Sequence, residues 1–326
     1  MEYRTIIPHI KEYLLQSPQF EFKGQVEIIF LTQTEEFYHY LLKDVASPPY
    51  LLKVRAAKPV TPDPLERDFR VLRHLEGCEF TPQAYYYDPN PRGLDYSLML
   101  TEYVGGEALD YPRDYLKVAQ TLGVIHSHGK MDLPIVSDPI ERAVAQAKLN
   151  LKDALPSGVF HMDHLYFFDG FMEWAEEHAP KKVHLFDESL HTLNHGTLDT
   201  GDFVVGKRLI LQNWQRAYIG DPAIALAKFL ARTTTLWSSR LVLRAIDRED
   251  FYYRYEKALG LEKSTIRERI AAYMPYHLLE VFSRFAKYYY DHSLPGKDPG
   301  DPLVMKQLQT YLEVDFMRQA LTEFIG

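Results

Sequence analysis

In the first third of the chain, short runs rich in aromatic and branched residues occur at Gln25 to Leu31, Glu36 to Leu42 and Tyr50 to Arg55. Polar or proline-containing breaks separate them, so the runs predict an antiparallel meander of strands. A helix candidate, Thr5 to Gln16, precedes them. Pro62, Asp63 and Pro64 then open a helix in which Leu65, Phe69, Leu72 and Leu75 recur at three- and four-residue spacing, with Gly77 at its end. Two further strands are predicted at Gln83 to Tyr87 and Tyr96 to Tyr103, on either side of the turn-forming DPNPRG. One helix is thus expected within a five-stranded antiparallel unit.

From Gly105 onward the period changes from two to that of a helix. Leu116, Ala119, Leu122 and Ile125 form one apolar stripe, and a long helix starting near Ser264 carries another at Ile270, Met274, Leu278, Val281 and Phe285. KDPGDP, Lys297 to Pro302, breaks the chain before a last helix. The expected fold class is therefore α+β, with a β-rich lobe over 1–103 and a larger, mostly helical lobe over 104–326. No internal repeat or low-complexity tract interrupts this division.

Composition narrows the partners. The 326 residues are 46% hydrophobic, enough for a large core. A net charge of -8 with scattered Lys and Arg argues against nucleic acid or an anionic membrane as partner. No stretch approaches the ~20 apolar residues that cross a bilayer, and the N-terminal segment lacks the pattern of a signal peptide. The single cysteine, Cys78, precludes an internal disulfide. A cytoplasmic location is the expectation by elimination.

The chemistry concentrates in LNHGTLDTGDFVV, Leu193 to Val205, and LILQNWQRAYIGDPAIALA, Leu209 to Ala227. A polar loop, a short strand pair and a Gly-Asp-Pro turn before an apolar helix form a suitable place for a site. This segment resembles the catalytic segment of the aminoglycoside phosphotransferase and choline kinase family, whose pattern is roughly H-G-D-x-x-x-x-N, then I-D-W or I-D-F, then G-D-P. The order of other segments agrees: Lys53 in YLLKV, a helix beginning ERDFRVLRHLEG, LMLTEYVGGEALD, and LGVIHSHG. The resemblance spans about Gln25 to Thr233 and implies a two-lobed, protein-kinase-like fold, with ATP and Mg2+ as the associated ligands.

In that family a loop Asp receives the proton of the alcohol, an Asn and a second Asp hold magnesium, and a Lys grips the phosphates. Here the position of the catalytic Asp is Thr197, a hydroxyl that is no base near neutral pH. The metal Asp is Asn213, a weaker magnesium ligand than a carboxylate. Asp202 stands at the Asn position and restores one lost charge. Asp199, two residues after Thr197, is the candidate substitute base. The resemblance also implies that Lys53 pairs with Asp68, Glu66 being close by, and that backbone groups of Glu102, Tyr103 and Val104 meet the adenine. The loop expected to cover the phosphates, Leu31 to Tyr38, has no glycine, which makes close backbone approach harder. Weak or absent binding of ATP and Mg2+ follows.

Other features weigh less. His191 and His195 are four apart, but no Glu follows His191 as in the zinc motif H-E-x-x-H; His161 and His164 read as surface histidines. Tyr166, Phe167, Phe168, Phe171 and Trp174 follow the spacing of a core stripe more than that of a cage for a quaternary amine. Glu173, Glu176 and Glu177 read as a solvated helix face. Three functions compete. The first is an impaired pseudokinase or binding module for a nucleotide, small molecule or protein partner. The second is an active small-molecule kinase with relocated acids, phosphorylating a hydroxyl of an aminoglycoside, amino alcohol or sugar. The third is a structural or interaction protein, like the kinase-like proteins of some bacterial coats.

Overall fold

The computed structural model describes residues 3–17, 26–44, 47–56, 62–261 and 264–325. The chain divides into two compact units: 1–109 with 195–217, and 110–194 with 218–326. The sequence expectation drew a single break at 103/104; the contacts instead group the loop segment 195–217 with the sheet.

In the first unit, helix α1 (Tyr3–Gln16) precedes strands β1 (Glu27–Gln33), β2 (Phe37–Asp44) and β3 (Ser47–Arg55). Helix α2 (Pro64–His74), β4 (Ala84–Asp88) and β5 (Leu98–Glu102) follow. The five strands form one antiparallel sheet in the order β1-β2-β3-β5-β4, as the meander pattern predicts, although Gln25 lies outside the described residues.

The period of two in these strands assigns each side chain to a face. Tyr38, Tyr40 and Leu42 of β2 and Leu52 and Val54 of β3 pack with Ile6, Ile10, Tyr13 and Leu14 of α1. The alternate residues face the other way, where Phe37 and Met99 pack with Leu65 of α2. Lys53, between Leu52 and Val54, falls on the α2 face. Asp63 caps α2 by accepting from Leu65 N at 3.0 Å, which accounts for the helix starting where the Pro-Asp-Pro signal places it. Cys78, just past the helix, is buried. A second, three-stranded sheet joins Glu107–Ala108, Phe203–Val205 and Leu209–Leu211.

The second unit is helical, with α3 (Tyr111–Ser127), α4 (Pro139–Ala154), α5 (Met162–His178), α6 (Pro222–Leu230), α7 (Arg232–Ser238), α8 (Ala245–Leu259), α9 (Ile266–Ser293), α10 (Pro302–Tyr311) and α11 (Val314–Leu321). The predicted stripe of α3 buries Ala119, Leu122 and Ile125; that of α9 buries Ile270, Met274, Leu278 and Val281. Phe285 of α9 stacks against Trp237 and Tyr311. Helix α3 approaches α8 so closely at Gly123 that a Cβ there would lie 2.6 Å from the carbonyl oxygen of Tyr255. Asp221 caps α6 through Ala223 N at 2.8 Å, and its Oδ2 lies 2.8 Å from Nε of the buried Arg269. Among the described residues no helix is long and apolar enough to cross a membrane.

Candidate functional site

The first unit gathers Lys53, Asp68, Thr197, Asp202 and Asn213 into one chain of hydrogen bonds. Lys53 stands on β3 facing α2, and its ammonium donates to Asp68 Oδ2 at 2.8 Å. Both side chains are buried, at 2% and 0% exposure, so the charges have no water to stabilise them and depend on each other. Asp68 also accepts from Trp214 N at 3.1 Å and from Gln215 Nε2 at 3.0 Å. Those bonds tie α2 to the turn Trp214–Arg216. Lys53 spends a second proton on Asn213 Oδ1 at 3.0 Å.

Backbone shape sets the remaining positions. Gly196 has φ +99°, and a Cβ on it would fall 2.2 Å from the carbonyl oxygen of Arg216. Only glycine allows the loop to lie against the turn Trp214–Arg216. Leu198 (φ 57°) and Asn213 (φ 72°) are also left-handed, a region that Asn tolerates better than most residues. His195, 1% exposed, anchors the loop from beneath. Its Nε2 donates to the Gln212 carbonyl at 2.8 Å, leaving Nδ1 to accept from Leu198 N at 3.2 Å, and its ring meets Trp214 edge to face.

Asp202 ends the short helical turn Thr200–Asp202 and is where the chain of bonds converges. Its Oδ2 accepts from the Thr197 hydroxyl at 2.8 Å and from Asp199 N at 2.9 Å; its Oδ1 accepts from Asn213 Nδ2 at 3.3 Å. The two side chains at the carboxylate positions of the family pattern therefore act as donors onto Asp202, the one carboxylate among the three motif positions. A divalent cation needs free anionic oxygens. Here Oδ2 of Asp202 has both lone pairs engaged, and Oδ1 of Asn213 is already held by an ammonium. Among the described residues no group of three or more His, Cys, Asp or Glu is arranged to hold a metal. The arrangement does not fit magnesium.

Beside this network lies a cavity of about 400 Å³. Leu31, Leu51, Tyr103, Val104 and Val204 supply an apolar part, suited to a flat ring, and Thr197, Asp202, Asn213 and Arg216 a polar part. Glu102 is occupied otherwise: its N–H donates to the Gln83 carbonyl and its carboxylate pairs with Arg208 at 2.8 Å. Asp199 is exposed and is not part of the cavity wall; its backbone meets Asp202, the N–H donating to Asp202 Oδ2 at 2.9 Å and the carbonyl accepting from Asp202 N at 3.0 Å. The loop over Leu31 to Tyr38 is a tight hairpin turn, closed by Thr34 N donating to the Phe37 carbonyl at 2.9 Å and by Phe37 N donating to Thr34 Oγ1 at 3.0 Å. The Thr34 hydroxyl thus supplies locally what a glycine-rich loop leaves to a ligand.

Two cavity residues escaped the sequence reading. Arg216 is an exposed cation in the cavity wall. His39 of β2 lies opposite Lys53 in the strand register, and burial, followed by the charge of Lys53, lowers its pKa to about 4. The signal for His39 was present in the alternation of β2, which puts it on the same face as Phe37; nothing local marked Arg216.

The secondary sequence features resolve into structure. Phe168 and Phe171 are buried, and Phe171 and Trp174 pack with each other and, through Trp174, with Tyr276. Glu176 pairs with Lys148 and Glu177 with Lys181, all exposed. His191 belongs to the second unit and His195 to the first, where both ring nitrogens already have partners.

The sequence profile of the phosphotransferase enzyme family matches residues 27–265. Among solved structures, a provisionally named aminoglycoside phosphotransferase from Ralstonia eutropha JMP134 superposes with a TM-score of 0.65 at 15% identity, over 96% of this chain and 98% of that one. The spectinomycin phosphotransferase APH(9)-Ia, solved with ADP and spectinomycin, gives 0.61 at 10% identity over 98% of each chain. A choline kinase from Cryptosporidium parvum gives 0.59 at 11% identity, over 99% and 97%. At such identities the likeness establishes the fold. No curated protein matches the chain in sequence.

Proposed function

Since the chain belongs to the phosphotransferase enzyme family, with its kinase-like α+β fold, we propose that it is a catalytically impaired member, a pseudokinase that keeps a cavity for a nucleotide and transfers phosphate weakly or not at all. The observation that carries this reading is the direction of the hydrogen bonds at Asp202. Thr197 and Asn213 stand where the family pattern has a base and an anionic metal ligand, and both donate hydrogen bonds to Asp202, while the one oxygen of Asn213 accepts from Lys53. Loss of a general base alone removes ~10²- to 10⁴-fold in rate. Nucleotide as the ligand is supported by the apolar cavity wall at Leu51 and Val104 and by the ADP bound in the spectinomycin phosphotransferase. On this reading Lys53 and Asp68 hold the cavity's shape, and Tyr103 and Val104 border the base, with Glu102 turned to Gln83 and Arg208 instead. The assignment goes with a cytoplasmic protein whose partner is a small molecule.

The test compares ATP consumption by the natural protein with that of a variant carrying Thr197→Asp, Asn213→Asp and Asp202→Asn, against a panel of alcohols and aminoglycosides. Turnover is expected only in the variant. Robust turnover by the natural protein that Asp199→Ala abolishes would instead establish a relocated base and an active kinase.

A further inference from the structure

We propose that the cavity of the first unit binds the phosphates of a nucleotide without a divalent metal, with the guanidinium of Arg216 as their counter-charge. The inference rests on the nucleotide reading above and specifies its electrostatics. A metal in a phosphotransferase site offsets two sources of negative charge, the phosphates and the protein's own carboxylates. In this chain the second source is halved. Of the three positions in the motif, one is a hydroxyl, one an amide and one the carboxylate of Asp202, whose charge is spread over three internal donors. The oxygen that Asn213 would offer a cation already accepts from the ammonium of Lys53. A divalent ion would have to displace these bonds to enter.

A replacement cation is at hand. Arg216 lies three residues after Asn213, exposed in the same cavity wall, and among the described residues its guanidinium has no carboxylate or carbonyl partner. Its backbone is fixed by the approach of Gly196, so the side chain projects from a rigid turn. A guanidinium offers two parallel donors to a phosphate and needs no metal to do so. Lys53 cannot serve equally, because it is buried behind the cavity wall and Asp68 and Asn213 hold two of its three protons. The opposing charge in the cavity wall besides Asp202 is Glu36, on the β1–β2 turn. His39 adds an uncharged contact: among the described residues its buried Nδ1 has no hydrogen-bond partner, leaving Nε2 as the ring atom able to meet a ligand.

The experiment is calorimetric titration of the natural protein, Arg216→Gln and Arg216→Lys with ADP and with adenosine, in EDTA and in excess magnesium. In EDTA, ADP is expected to bind the natural protein at least about tenfold more tightly than adenosine, as for a charge-assisted contact. Magnesium should change that affinity less than about threefold. Arg216→Gln should bring ADP down to the level of adenosine, and Arg216→Lys should keep part of the difference. ADP binding that requires magnesium would leave the nucleotide reading standing and overturn this inference, as would equal binding of ADP by the natural protein and Arg216→Gln, or equal binding of ADP and adenosine. If neither ligand binds the natural protein under any condition, the nucleotide reading itself is overturned, and this inference with it.

Discussion

Asp68 in the first unit and Asp221 in the second are both wholly buried acids paired to a cation at 2.8 Å, and both fall in segments that the family resemblance picks out. Their surroundings differ. Asp68 has three donors from two further segments, and the Lys53 it holds passes its second bond to Asn213 and so to the cavity. Asp221 has Arg269 and one helix-cap bond, and burial raises its pKa despite the guanidinium. One pair is the inner end of a network that reaches the cavity wall at Asn213. The other is a closed structural joint between the start of α6 and α9. Two segments of one family pattern can therefore hold similar buried ion pairs, and what separates them is whether the bonds continue to a cavity wall.

The largest expected effect tests the closed joint. Arg269→Met should leave Asp221 buried without its counter-charge and cost about 3–5 kcal/mol in denaturant unfolding, as for breaking one side of a buried pair. ADP binding by the folded fraction should be unchanged. A loss below about 1 kcal/mol would mean that water reaches Asp221 and that the contrast with Asp68 is false.

Acid sharpens the comparison next. Burial lowers the pKa of His126 and of His277 in the second unit to about 3, and that of His39 in the first to about 4, from 6.5. Each folded-state pKa lies below the unfolded one, so protonation favours the unfolded chain. The stability each contributes is fully present above pH 6.5 and is lost as the pH falls towards 3 or 4. Each such group adds about 1.4 kcal/mol per pH unit to the slope. His126→Gln, which retains a partner for Tyr255, should remove one proton's worth of that slope in unfolding titrations between pH 6.5 and 4. An unchanged slope would show that His126 does not titrate on unfolding.

The smallest effect belongs to the loop. Gly196→Ala forces a left-handed backbone and a carbonyl contact, at a cost of about 1–3 kcal/mol. Because the same loop presents Thr197, the substitution should also weaken ADP binding in titration, which Arg269→Met should not. Equal effects of both substitutions on binding would erase the distinction between network and joint.

Much of the fold was legible because period and punctuation are local. Leu65, Leu72 and Leu75 of α2 are buried at their predicted spacing, and Asp63 caps where Pro62 and Pro64 bracket it. The motif also named Lys53, Asp68, Thr197, Asp202 and Asn213 in advance. What these residues do to one another was not legible. That Lys53 reaches Asn213 is a bond across 160 positions, and that Thr197, Asp199 N and Asn213 all donate to Asp202 depends on φ values at Leu198 and Asn213 that composition does not reveal. Arg216 looked like one more charged residue after Trp214, because its value lies in facing a cavity wall built from both ends of the first unit's sequence.

The buried Cys78 gives this unit a built-in clock. It is the chain's one thiol, and burial pushes its pKa up, so the nucleophilic thiolate is scarce and shielded in the closed state. Two residues on, the Phe80 carbonyl accepts from Leu211 N at 2.8 Å, which fastens this stretch to the strand that leads into Asn213. Alkylation of the native protein therefore depends on how often that seam opens. Any ligand that tightens the loop slows the labelling, and the protein needs no engineered probe to report it.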